Sequence, residues 1–167
     1  NVYSLFDRLN TKFPHVLFES CSSGGGRFDA GLLYYAPQCW ASDDTDAAMR
    51  TKIQYGTSFS YPISSIGAHV SACPNHQLHR TTPFSTRANV AYFGTFGYEL
   101  DLNKLTDEER ELVKEQIKFM KEYREIIQFG DFYRILSPIE TNFLCWMVVS
   151  HDKRTAIVGY YKILNEV

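Results

Sequence analysis

The sequence predicts an α/β fold: half of an eight-stranded (β/α) barrel, followed by the start of a separate β domain. Short apolar runs alternate with helical periodicities four times between residues 16 and 130, as parallel strands covered by helices require. After Pro138 the pattern changes to two β-rich runs joined by Ser150-His151-Asp152-Lys153, a hairpin. Three of the richest polar loops directly follow predicted strands, the positions where such barrels carry their chemistry.

Each element has its own signal. Val2, Leu5, Phe6, Leu9 and Phe13 recur at steps of three and four, marking an amphipathic helix that Pro14 ends. Val16-Leu17-Phe18 reads as a strand buried on both faces. It leads into Glu19-Ser20-Cys21-Ser22-Ser23-Gly24-Gly25-Gly26-Arg27, a polar, glycine-rich loop. Gln38-Cys39-Trp40-Ala41 is a second strand and ends in Ser42-Asp43-Asp44-Thr45-Asp46; a helical stretch through Ala47, Ala48, Met49 and Ile53 follows. Residues 63–70 form a third strand, 71–83 a loop, 85–92 a short helix and 95–100 a fourth strand. Thr106 and Glu109 stand in capping-box register ahead of the stripe Val113, Ile117, Met120, Tyr123 and Ile127, and Gly130 ends that helix. The hairpin strands fall at 143–149 and 155–164, so residues 1–136 belong to the half-barrel and 137–167 to the β domain.

Composition excludes several functions. The net charge is -2 and the Lys and Arg residues are scattered, which leaves no footprint for nucleic acid or an anionic membrane. No apolar run approaches the roughly 18 residues that span a bilayer. Cys21, Cys39, Cys73 and Cys145 stand far apart without a secretion signal, which predicts reduced thiols and a cytoplasmic setting. The chain opens on Asn1 with helical periodicity already running, so it reads as a piece cut from something longer. A half-barrel leaves open strand edges and apolar surface, which predicts a cover: the missing N-terminal part of the same protein, or a second copy in a homo-oligomer.

Three segments are candidate sites. The loop from Cys21 to Arg27 lacks the Lys-[Ser/Thr] ending of a phosphate loop and the spacing of a dinucleotide fingerprint. Its glycines serve either a tight turn with positive φ or close approach of backbone to a ligand. Asp43, Asp44 and Asp46 are either a helix N-cap cluster or a tuned carboxyl. In the second reading partial burial beside Trp40 and a second acid raise the pKa until the carboxyl can donate a proton to a leaving oxygen. Cys73-Pro74-Asn75-His76-Gln77-Leu78-His79 holds three metal-ligand types within seven residues but no fourth ligand at zinc spacing, so no metal is expected and His76 and His79 read as loop hydrogen-bonding groups.

Taken in order, several runs resemble the bacterial α-galactosidases of glycoside hydrolase family 36. They are Phe18-Glu19-Ser20-Cys21-Ser22-Ser23-Gly24-Gly25-Gly26-Arg27-Phe28-Asp29, Tyr34-Tyr35-Ala36-Pro37-Gln38-Cys39-Trp40-Ala41-Ser42-Asp43-Asp44-Thr45-Asp46, Gly67-Ala68-His69-Val70-Ser71, Pro74-Asn75-His76 and Gly94-Thr95-Phe96-Gly97-Tyr98-Glu99-Leu100. The resemblance implies the second half of a (β/α)8 TIM barrel followed by the first strands of a C-terminal β-sandwich. It also implies retaining hydrolysis of terminal α-galactosyl groups from substrates such as melibiose and raffinose, with no cofactor. Asp43 would be the general acid/base. Cys21, Ser22, Ser23 and Gly24 would touch the galactose hydroxyls, and Trp40 would help shape the sugar pocket. Ser23 departs from the glycine of many members, and Asp44 from their Asn. A retaining mechanism needs a nucleophile about 5–5.5 Å from the acid/base. The resemblance places it in a Lys-x-Asp run on the fourth barrel strand, expected to precede this chain, so Asp29 and Asp46 are not promoted to that role. The alternative is a non-catalytic fragment that contributes sugar binding or oligomerisation only.

Overall fold

A computed structural model describes residues 1–164; the last three residues of the 137–167 range lie outside the described residues. The chain begins with helix α1 (Val2–Lys12), whose first turn is capped by the Asn1 side chain at 3.0 Å from the Tyr3 amide. Strand β1 (Glu19–Ser20) and the helical turns α2 (Ser22–Gly25) and α3 (Ala30–Leu33) follow, then strand β2 (Gln38–Cys39) and helix α4 (Ala47–Thr57). Strand β3 (Gly67–Ser71), helix α5 (Phe84–Ala91), strand β4 (Thr95–Glu99) and helix α6 (Asp107–Phe129) complete the alternation. Strands β5 (Asp131–Leu136), β6 (Phe143–Val149) and β7 (Ala156–Lys162) close the described chain.

Strands β1 and β2 are parallel, with Ser20 opposite Cys39, and β3 and β4 are parallel over five residue pairs from Gly67–Thr95 to Ser71–Glu99. A single parallel bridge between Cys39 and Ile66 joins the two pairs. All four strands therefore run one way, and the loops after β1, β2 and β3 open at the same end. This shared direction brings residues distant in sequence into one site.

The sequence placed the first strand on Val16-Leu17-Phe18, but the pairing residues are Glu19 and Ser20. Leu17 is 86% exposed and Val16 50%, so the run is not buried on either face. Among the described residues β1 has only β2 beside it, and without a second neighbour or a covering layer an apolar run has nothing to pack on. Phe18 alone finds a partner, meeting Phe6 of α1 edge to face at 5.8 Å. Residues 131–136, for which the sequence offered no strand, form β5 and pair antiparallel with β6. The expected hairpin is thus the second and third strands of a sheet ordered β5-β6-β7.

The two parts share one core. Ile66, Ala68 and Val70 beside and on β3 pack with Ala88 and Ala91 of α5, Met120 and Ile127 of α6, and Leu144, Trp146 and Val148 of β6. The inward stripe of α6 is turned slightly from the predicted one: Ile117 is 37% exposed, while Gln116 is buried and accepts from the Tyr98 hydroxyl at 2.8 Å. The capping box is present. The Thr106 hydroxyl accepts from the Glu109 amide at 3.2 Å and the Glu109 carboxylate accepts from the Thr106 amide at 3.1 Å. A cap of this type is worth about 1 kcal/mol. Thr106→Ala is expected to lower stability by about that amount, read as a drop in urea midpoint with unchanged denaturant slope.

Candidate active site

The polar loops after β1 and β2 pack directly on each other. Trp40 donates its amide to the Ser20 carbonyl at 2.8 Å, extending the parallel ladder by one bond and setting Cys21 and Ala41 at neighbouring strand ends. After Ser20 the backbone enters a left-handed turn: Ser22, Ser23, Gly24 and Gly25 have φ of 54°, 59°, 71° and 92°. L-residues avoid this region because Cβ crowds the following carbonyl. Two serines held there are the kind of strain that surrounding structure must impose.

The surroundings show why glycine is needed next. A Cβ on Gly24 would stand 3.0 Å from the Asp43 amide nitrogen and 3.5 Å from its carboxyl carbon, and one on Gly25 would fall 2.7 Å from the Ala41 carbonyl oxygen. The positive φ expected of the loop is present, and the backbone comes close to another segment of this chain. The surface approached within this chain is the Ala41-Ser42-Asp43 backbone. The structure brings Gly24 and Asp43 together, with Cys21 half-buried and Ser22 and Ser23 exposed on the same loop.

The three acidic residues separate by role. Asp46 is the N-cap of α4, accepting from the Met49 amide at 3.0 Å, and it is buried against Arg80 at 2.5 Å. Asp44 accepts from the Asp46 amide at 3.0 Å and shapes the turn. Asp43 has neither duty. Its side chain is exposed, and its carboxylate has no hydrogen-bond partner among the described residues. The helix cap is thus Asp46, and the partial burial expected for the Asp43 carboxyl is not supplied by this chain.

Trp40 is 8% exposed. The His69 ring of β3 stacks on it at 4.5 Å, and the Arg50 guanidinium lies 4.4 Å from its ring centroid. His69 in turn faces the Glu99 carboxylate at the end of β4, 3.3 Å away. Arg50, buried on α4, was not singled out by sequence. Its fork donates to the Ser42 carbonyl at 3.2 Å and to the Gly67 carbonyl, and its Nε to Gln54 Oε1 at 3.3 Å. Burial pulls its pKa down to about 10, opposed by the Asp44 and Glu99 carboxylates, and it stays cationic at neutral pH. An arginine in the first turns of a helix carries no sequence signal that separates this role from a surface charge.

The loop 71–83 also serves the site, by backbone bracing. Gln77 donates from Nε2 to the Asp43 carbonyl at 2.9 Å and accepts at Oε1 from the Thr45 amide at 3.2 Å. Ser71 donates to the Thr45 carbonyl at 2.8 Å, and Asn75 to the Thr45 hydroxyl at 3.0 Å. His76 and His79, expected to hydrogen-bond in this loop, use no ring nitrogen for it among the described residues; His79 contributes its backbone amide to the Asn75 carbonyl at 2.9 Å. No group of three His, Cys, Asp or Glu side chains converges as a metal site among the described residues, and all four cysteines are free thiols.

The Melibiase family model matches residues 1–130, ending where β5 begins. The chain belongs to the Melibiase family. This Melibiase chain is 56% identical to the alpha-galactosidase AgaA of Geobacillus stearothermophilus over 165 residues, 99% of this chain and 23% of that protein. It is 53% identical to alpha-galactosidase 1 of Pediococcus pentosaceus over 164 residues, covering 98% and 22%. A crystal structure of a substituted Geobacillus AgaA, a GH36 alpha-galactosidase, in complex with raffinose superposes with a TM-score of 0.96, covering 99% of this chain and 23% of that one. The galactosidase domain of the alpha-galactosidase–sucrose kinase AgaSK superposes equally, at 51% identity over the same shares. The chain thus spans under a quarter of the length of these relatives.

The glycine loop of this Melibiase chain makes two opposite predictions. Gly25→Ala forces a Cβ onto backbone at positive φ and is expected to destabilise by about 1–3 kcal/mol. Ser23→Gly relieves a strained φ and is expected to be neutral or stabilising by up to about 1 kcal/mol, part of the gain offset by the freer unfolded chain. Thermal melts of the two variants in the full-length protein check both signs.

Proposed function

We propose that this chain supplies the acid/base half of the active site of a retaining α-galactosidase. In this reading residues up to Phe129 are the second half of a (β/α)8 barrel, and β5 to β7 are the first strands of a C-terminal β-sandwich. The four parallel strands alternating with helices, and the antiparallel sheet that follows, support it. The observation that carries it is the freedom of Asp43. It is the one acid of its cluster left out of capping and turn formation, and it is set beside the backbone of Gly24.

Asp43 protonates the glycosidic oxygen as the leaving group departs, then takes a proton from the water that releases the galactosyl-enzyme. Cys21, Ser22, Ser23 and Gly24 face the galactose hydroxyls, the left-handed turn presenting backbone and small side chains to the sugar. Trp40, with His69 and Arg50 already against its ring, forms a rigid wall of the pocket. The nucleophile comes from the part of the enzyme that precedes this chain, which alone does not turn over. That part also covers the exposed run Val16-Leu17 and the outer edges of β1 and β4. A second copy is the other cover, and the solution mass of the full-length enzyme distinguishes a monomer from a homo-oligomer. The substrates are α-galactosides of the raffinose and melibiose type, and the free thiols suit a cytoplasmic enzyme.

The test is Asp43→Asn in the full-length protein. General acid catalysis contributes about 10²–10⁴-fold, so kcat/KM on raffinose is expected to fall by that factor. On an aryl α-galactoside with a strongly acidic phenol, which leaves without a proton, kcat/KM changes little. Full activity of the variant on raffinose sinks the assignment.

A further inference from the structure

We propose that Gln77 is a positioning residue for proton donation by Asp43, acting through the backbone of the acid loop. The proposal rests on the reading of Asp43 as the acid/base. The Gln77 amide spans the loop at two points. Its Nε2 donates to the carbonyl of Asp43 itself, at 2.9 Å, and its Oε1 accepts from the Thr45 amide at 3.2 Å. This is the pairing a neighbouring strand would make, supplied by one side chain where no strand runs.

Both anchors of that side chain are fixed. Asn75, buried at 4% exposure, accepts from the Gln77 amide at 3.0 Å and the Leu78 amide at 2.8 Å through Oδ1, and donates through Nδ2 to the Thr45 hydroxyl. The position of Gln77 is therefore set against the same Thr45 that its own side chain holds. Before Asp43 the Arg50 guanidinium takes the Ser42 carbonyl, and after it Ser71 takes the Thr45 carbonyl. Gly24 closes the remaining side, where a Cβ would stand a tight 3.0 Å from the Asp43 amide nitrogen. Asp43 has a free carboxylate on a backbone gripped from three directions. Among these grips, that of Gln77 is the one on the Asp43 carbonyl, whereas Arg50 takes the carbonyl of the preceding residue.

Arg50 and Asn75 are buried, and their loss would disturb packing generally. Gln77 is exposed, so its bonds can be removed with little effect on the core. A donor held loosely loses rate where a proton is needed in the transition state and not where it is superfluous. A structural role alone would lower both rates together.

The experiment measures kcat/KM of the full-length protein carrying Gln77→Met, which keeps side-chain length and removes both bonds. A second variant, Gln77→Glu, keeps the acceptor for Thr45 but loses the donor to Asp43. Each is assayed on raffinose and on a dinitrophenyl α-galactoside, with Asp43→Asn in parallel. The expected result is a fall of about tenfold on raffinose for both Gln77 variants, with the dinitrophenyl substrate within twofold of the parent. Equal loss on both substrates, or no loss on raffinose, overturns the proposal. If Gln77→Met does not fold, Gln77→Glu decides alone by the same comparison. Asp43→Asn separates the two levels. A leaving-group split there without one at Gln77 refutes only the positioning role, whereas no split at Asp43 removes the acid/base reading beneath it.

Discussion

The arrangement depends on one buried cation. Arg50 is withdrawn from water with no carboxylate of the described residues in hydrogen-bond contact, a placement that costs several kcal/mol unless its donors are met. They are met by the Ser42 and Gly67 carbonyls and Gln54, with the Trp40 ring beside the guanidinium. Those partners come from the loop after β2, the start of β3 and α4 itself. Satisfying one guanidinium therefore ties two strands to the helix between them, directly beneath the acid loop. A lysine would carry the charge but not the planar fork that reaches both carbonyls.

What Arg50 secures from below, the glycine turn secures from the side. The left-handed run from Ser22 to Gly25 brings backbone against backbone at Ala41–Asp43, a separation that any Cβ would widen. The strain in Ser22 and Ser23 is thus coupled to the position of Asp43. A chain that relaxed into a right-handed turn would move the loop away from the carboxylate. The result is a hydrogen-bonded ledge on which the Asp43 carboxylate has no partner among the described residues. A 510 Å³ groove between α5, α6 and β7 is lined by neither Asp43 nor the glycine turn.

Much of this was legible residue by residue. The capping box at Thr106 and Glu109, the stop at Gly130 and the strand at 143–149 follow from local rules that tertiary contacts did not override. Val16-Leu17-Phe18 was misread because an apolar run signals burial only when something is present to bury it. Strand β5 escaped notice because Asp131-Phe132-Tyr133-Arg134-Ile135-Leu136 is an edge strand with mixed faces, and its pairing with β6 is a long-range choice. Gln77 and Arg50 were invisible for the same reason. Their partners lie 34 and 17 residues away, at Asp43 and Gly67, and no local pattern encodes that distance.

The acidic run was the sharpest case. By itself the sequence determined that Asp43, Asp44 and Asp46 precede a helix behind a strand, where side-chain oxygens can meet the free amides of a first turn, and it left capping and a tuned carboxyl as alternatives. The ordered resemblance singled out Asp43. Only the tertiary structure showed the division of labour. Asp46 takes the cap and the Arg80 ion pair, Asp44 takes the turn, and Asp43 is left free beside Gly24. That outcome turns on where Arg80, Gln77 and the glycine turn arrive in space, which parallel strand pairing sets and local sequence does not.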